Sequence, residues 1–109
     1  MTIEKLASQL NFAPLCMPVP EREICGVYIG DLLSWVMGKA ESGNVWITIM
    51  SNINIVAVAS LTDVSAILVT ENVSLDDEII KTATEKGINI LSTRLSSYEA
   101  AIKIAGVIS

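Results

Sequence analysis

The stretch Asn44–Leu61, NVWITIMSNINIVAVASL, constrains the chain more than any other. Val45 to Ile49 has the β-branched and aromatic content of a strand, and its near-continuous apolarity suits a strand covered on both faces. Ser51 and Asn52 interrupt the run with side chains that can cap a helix. Ile53 through Leu61 is then expected as a helix, apolar nearly all the way round and therefore enclosed. Ile55, Val56 and Val58 are poor helix formers, so the local pattern also admits a second strand here. A strand buried on two sides needs covering layers, and the flanking segments must supply them.

They read as such layers. Thr2 can cap a helix whose Ile3, Leu6, Ala7 and Leu10 share a face, with Asn11 as its stop. Pro14, Pro18 and Pro20 make the next stretch extended and edge-like, since proline cannot donate to a central ladder. Ile24 to Gly30 follows as a strand in which Gly26 and Gly30 mark a bulge or a close backbone approach. Asp31 precedes a short helix with Leu32, Leu33, Val36 and Met37 on one face and Gly38 placed as its C-terminal cap.

After the central run, Ala66 to Thr70 is a short buried strand. Ser74 opens a helix with Asp76, Asp77 and Glu78 in its positive first turn, turns Ile79, Ile80 and Ala83 to the core, and ends at Lys86 and Gly87. Ile88 to Ser92 is the next strand, and Ser96 with Glu99 is a capping box for a last helix. Repeated strand–helix alternation predicts an α/β fold over residues 1–109: a three-layer α/β/α sandwich with a mostly parallel sheet and right-handed crossovers.

At 109 residues the chain is expected to have one core, yet 51% of it is hydrophobic and only 17% charged. A small interior cannot hide that many apolar side chains, so the surplus is expected to meet a partner, most simply a second copy in a homodimer or higher homo-oligomer. The net charge of −5, with seven scattered basic residues, argues against nucleic acid and anionic membrane. No unbroken apolar run is long enough for a membrane helix, and the N-terminus lacks the pattern of a signal peptide, so a cytoplasmic location is expected. Cys16 and Cys25 form no CxxC and have no histidine beside them, which leaves buried free thiols as the expectation and no cofactor.

Catalytic chemistry finds little support. Without histidine there is no imidazole acid, base or triad, and neither a P-loop nor a GxGxxG pattern occurs. One pair of acids, Asp31 with Glu71, could serve a carboxylate-only enzyme if the fold brought them together. The ends of the parallel strands offer more, because ligands of such sheets bind beyond the carboxyl ends. The polar residues there are Thr48, Ser51, Asn52 and Asn54, then Thr70, Glu71 and Asn72, then Ser92, Thr93 and Arg94. Asp31, Thr48, Ser51, Asn52, Asn54, Ser92, Thr93 and Arg94 are therefore the candidate ligand-binding set, with Arg94 near the phosphate of a small nucleotide-like ligand.

Three collinear segments, EREICGVYIGDLLSWVM at Glu21–Met37, VWITIMSNINIVAVA at Val45–Ala59 and GINILSTRLSSYEAA at Gly87–Ala101, resemble the DRTGG domain family. Arg22 and Gly26 keep parts of the namesake pattern, whereas Val27 stands where a second glycine is frequent and Asn52 where a histidine is common. The resemblance implies a fold like the N-terminal domain of HPr kinase/phosphorylase and a regulatory, dimerising role. A non-catalytic regulatory and oligomerisation module is thus the expected function, with a protein partner or a place as accessory subunit of a larger assembly as the alternative.

Overall fold

Val45, Trp46, Ile47 and Thr48 form strand β3 (Val45–Thr48), and all four side chains are buried. In the computed structural model, which describes residues 1–108, four further strands flank it: β1 (Ala13–Cys16), β2 (Val27–Ile29), β4 (Ala66–Val69) and β5 (Ile90–Ser92). Their order across the sheet is β1-β5-β4-β3-β2. β2 to β5 run parallel, and the proline-bearing β1 closes one edge antiparallel to β5, with a register shift between Pro14 and Cys16.

The helices divide by face. α2 (Leu33–Lys39), α3 (Asn54–Thr62) and α4 (Asp77–Glu85) place Val36, Ile55, Ala59, Ile79 and Ala83 against Trp46, Ile67 and Ile90. α1 (Ile3–Leu10) and α5 (Ser97–Ile108) place Ile3, Leu6, Ala100 and Ile104 against Ile47, Leu68 and Leu91 on the other side. Alternate residues of β3, β4 and β5 thus feed two separate cores, which is why these strands read as unbroken apolar runs. Because β2, β3, β4 and β5 step across the sheet in one direction, right-handed crossovers put α2, α3 and α4 on one face. Only after β5 does the chain cross to the opposite face.

The central run is strand and then helix, so the two-strand alternative does not occur. The helix is less enclosed than its composition suggests: Ile55, Val56, Val58 and Ala59 are buried, but Leu61 is 72% exposed and Ile53 43%. A helix lying on a sheet buries one side only, however apolar its outer side is. Its start is held by Asn52, whose Oδ1 accepts from the Asn54 N–H at 2.9 Å, and not by Ser51.

Other termini also differ from expectation. Gly38 lies inside α2, and Ala40 ends that helix in an extended conformation, so no glycine cap is needed. On the same helix Leu32 and Met37 are exposed while Val36 is buried, which halves the apolar face expected there. α4 starts after Asp76 and not at Ser74. Both cysteines are free, but Cys25 is exposed, and only Cys16 is partly buried, its Sγ–H donating to the Ile88 carbonyl at 3.4 Å. Burial pushes the Cys16 thiol up from its ordinary pKa. The expected caps at Thr2 and at Ser96 with Glu99 are both made.

Polar side chains tie the layers at the end of the sheet where the parallel strands begin. Arg22 donates to the Asp63 carboxylate at 3.0 Å and to its carbonyl at 2.9 Å, and Ser42 donates to the same carboxylate at 2.6 Å. Asn44 Nδ2 donates to the Cys25 carbonyl at 2.6 Å, beside Gly26. Gly26 has φ +82°, and a Cβ there would stand 3.1 Å from Asn44 Nδ2, which accounts for the glycine.

Candidate functional site

In a parallel sheet a crevice opens where successive strand-to-helix connections leave in opposite directions. β2, β3 and β4 all send their helices to the same face, so their ends diverge nowhere. β4 and β5 are the pair that differ: the chain leaves β4 for α4 on one face and β5 for α5 on the other. A groove of about 450 Å³ lies at that place.

Ser92, Thr93 and Arg94, all expected from the sequence, line it as the chain leaves β5, and Asn72 lines it from the loop after β4. Lys103 on α5 and Asn11 at the end of α1 line it as well, and Leu10, Ala13 and Leu95 give it an apolar wall. The two loops are locked together, since the Glu71 N–H donates to the Leu95 carbonyl at 2.8 Å and the Asn72 N–H to the Thr93 carbonyl at 3.0 Å. Glu71 and Asn72 both take left-handed conformations, φ +60° and +57°, to make that turn. Thr70, fully buried below them, pairs its hydroxyl with that of Ser97 at 2.8 Å and so joins β4 to the start of α5.

The rest of the expected set lies elsewhere. Asp31 accepts from the Thr48 hydroxyl at 2.8 Å and from the Ile49 N–H at 2.9 Å, and Thr48 Oγ1 in turn accepts from the Met50 N–H at 3.1 Å. This latch joins the end of β2 to the turn after β3, so Asp31 does not cap α2. Asn52 is taken up in starting α3, while Ser51 and Asn54 are exposed beside it. None of Asp31, Thr48, Ser51, Asn52 and Asn54 lines the groove. Asp31 and Glu71 do not converge either, because they follow β2 and β4, two strand spacings or about 10 Å apart.

Lys103, Asn11 and the apolar wall were not legible as site residues. They come from α5, the end of α1 and β1, which the strand-end rule does not count. The signal that finds them is strand order: once β5 is placed between β1 and β4, its loop must face α1 and α5.

A model of the DRTGG domain family matches residues 24–107. The chain belongs to the DRTGG domain family. This DRTGG domain is similar in fold to the crystal structure of the CBS and DRTGG domains of the regulatory region of Clostridium perfringens pyrophosphatase, solved with its activator diadenosine tetraphosphate. The TM-score is 0.74 at 18% identity, over 94% of this chain and 45% of that one. The DRTGG domain therefore spans less than half of that solved chain. A comparison with curated protein sequences found no match.

Proposed function

We propose that this DRTGG domain is a non-catalytic regulatory module that senses a small nucleotide-like ligand in the groove between the ends of β4 and β5. The observation that carries the reading is the coincidence of that groove with the one divergence in the sheet, where Ser92, Thr93 and Arg94 already stood as candidates by their position after a strand. The similar regulatory region of the Clostridium perfringens pyrophosphatase takes a nucleotide activator, which supports the same class of ligand here. Catalysis is disfavoured on the residues themselves: the chain has no histidine, and Asp31 is engaged in a structural latch.

The module acts as a homodimer in the cytoplasm. Leu32 and Trp35, 61% and 60% exposed at the start of α2, follow the half-exposed Ile29 of the edge strand β2 and leave apolar surface for a second copy. No helix among the described residues is long and apolar enough to cross a membrane.

Melting curves against a panel of nucleotides test the sensing role. At least one member is expected to raise the melting temperature, with a shift that grows with the logarithm of its concentration above Kd. A flat response to every member removes the role. Light scattering at micromolar concentration tests the assembly, and a monomer mass contradicts it.

A further inference from the structure

We infer that the groove between β4 and β5 is selective for a phosphomonoester whose phosphate lies between Arg94 and Lys103. The inference rests on the ligand-sensing reading above and adds the chemical class of the ligand and the helix residue that selects it.

The chain carries 12 acidic residues against 7 basic ones, yet no acid lines this groove and two of the seven cations do. Neither cation forms an ion pair among the described residues; the pairs present join Glu23 to the N-terminus and Arg22 to Asp63. Glu99, one helical turn before Lys103, takes part in the capping box: its carboxylate accepts from the Ser96 N–H at 3.1 Å, and its own N–H donates to the Ser96 hydroxyl at 3.1 Å. Hydrogen bonding from Ser96 first, and the Lys103 charge to a smaller extent, hold its carboxyl below the usual range, but it forms no ion pair with Lys103 and does not line the groove. The lining thus carries two positive charges and no negative one on an acidic molecule, an arrangement that favours anions.

The count of charges then narrows the anion. A phosphomonoester carries about −1.5 to −2 at neutral pH, which two cations balance, whereas a carboxylate leaves one of them unmatched. Ser92, Thr93 and the amides of Asn11 and Asn72 add neutral groups able to donate to phosphate oxygens or to the polar edge of the ligand. The wall of Leu10, Ala13 and Leu95 calls for an organic body and not a bare ion. At about 450 Å³ the groove is in the range of small-ligand sites, about 300–1,000 Å³.

The test is calorimetric titration of the full chain with AMP and glucose 6-phosphate, with adenosine, glucose and inorganic phosphate as controls, on wild type, K103Q, K103R and R94Q. AMP, glucose 6-phosphate or both are expected to bind at least about tenfold tighter than any control; the tighter of the two names the body. K103Q and R94Q each lose about tenfold or more, K103R retains most of the affinity, and all variants melt like wild type without ligand because both side chains are exposed. Adenosine binding as well as AMP, or K103Q binding as well as wild type, overturns the phosphate placement while leaving a ligand-sensing groove. Inorganic phosphate binding as well as both esters overturns the role of the apolar wall. No binding by any compound overturns the phosphomonoester inference, while the sensing role is decided separately by the wider nucleotide panel.

Discussion

Asp31 and Thr48 stand 2.8 Å apart, carboxylate to hydroxyl, and between them tie the exit of the edge strand β2 to the exit of the central strand β3. Thr48 is fully buried, and Asp31 also receives the Ile49 N–H, so the pair works as a latch at the open edge of the sheet. Asp31→Ala is expected to cost about 1.5–3 kcal/mol of stability, the range for hydrogen bonds to a charged group. Ligand affinity at the β4–β5 groove should change by less than about 0.5 kcal/mol, because the two sites share no partners. Chemical denaturation and calorimetry read the two effects separately. A loss of ligand affinity without a loss of stability would return Asp31 to the binding set.

Asn89 is the buried polar residue with the most to lose. Its Oδ1 accepts from the Val19 N–H at 2.9 Å, and its Nδ2 donates to the carbonyls of Val19 and Ser65 at 2.8 and 3.0 Å. The side chain thus imitates a strand for the proline-flanked segment that cannot join the ladder itself. Asn89→Ala leaves those backbone groups without partners and is expected to destabilise by about 2–3 kcal/mol, seen as a lower denaturant midpoint with an unchanged slope.

Such long-range polar ties mark where the sequence stops being informative. The elements were legible because their signals are local: β-branched runs for β3 and β4, the Ser96–Glu99 box for α5, Asn11 in a left-handed turn after α1. The three-layer arrangement followed from their alternation. Asn89 inside INILS and Asn44 before the central strand carry no such signal for their long-range ties, since Val19 lies 70 residues from the one and Cys25 lies 19 from the other. The site behaved likewise. Ser92, Thr93 and Arg94 could be placed by the rule for strand ends, but Lys103 and Asn11 depend on which strands are neighbours. The enclosure expected of α3 failed because composition reports how apolar a helix is, not how many of its sides are covered.

The Arg22–Asp63–Ser42 cluster sets an acid limb of stability. The Ser42 hydroxyl and, after it, the Arg22 guanidinium hold the Asp63 carboxyl below its ordinary pKa. A carboxyl depressed in the folded state contributes stability that is complete above its unfolded pKa, about 3.9, and is lost as the pH falls through the lower folded value. Asp63 is mostly exposed, so the contribution is that of a surface network, below about 1 kcal/mol. Asp63→Asn should lower stability at about pH 6 by less than about 1 kcal/mol and flatten its fall below about pH 4. Equal slopes in wild type and variant would contradict the assignment.

Gly26 offers a backbone test. With φ +82° and Asn44 Nδ2 close by, Gly26→Ala is expected to cost about 1–3 kcal/mol, whereas Gly38→Ala, inside α2 with open space around its Cα, should stabilise by about 0.5–1 kcal/mol. Thermal melts of the two variants should therefore move in opposite directions.

The most direct test of the central claim is amide chemical-shift mapping of the labelled domain during titration with the tightest binder of the nucleotide panel. The account predicts saturable shifts concentrated at Asn72 and Ser92 to Leu95, extending to Asn11 and Lys103, with Asp31 and Thr48 to Asn54 unmoved. Shifts centred on the Asp31–Thr48 latch, or none at saturating concentration, would contradict it.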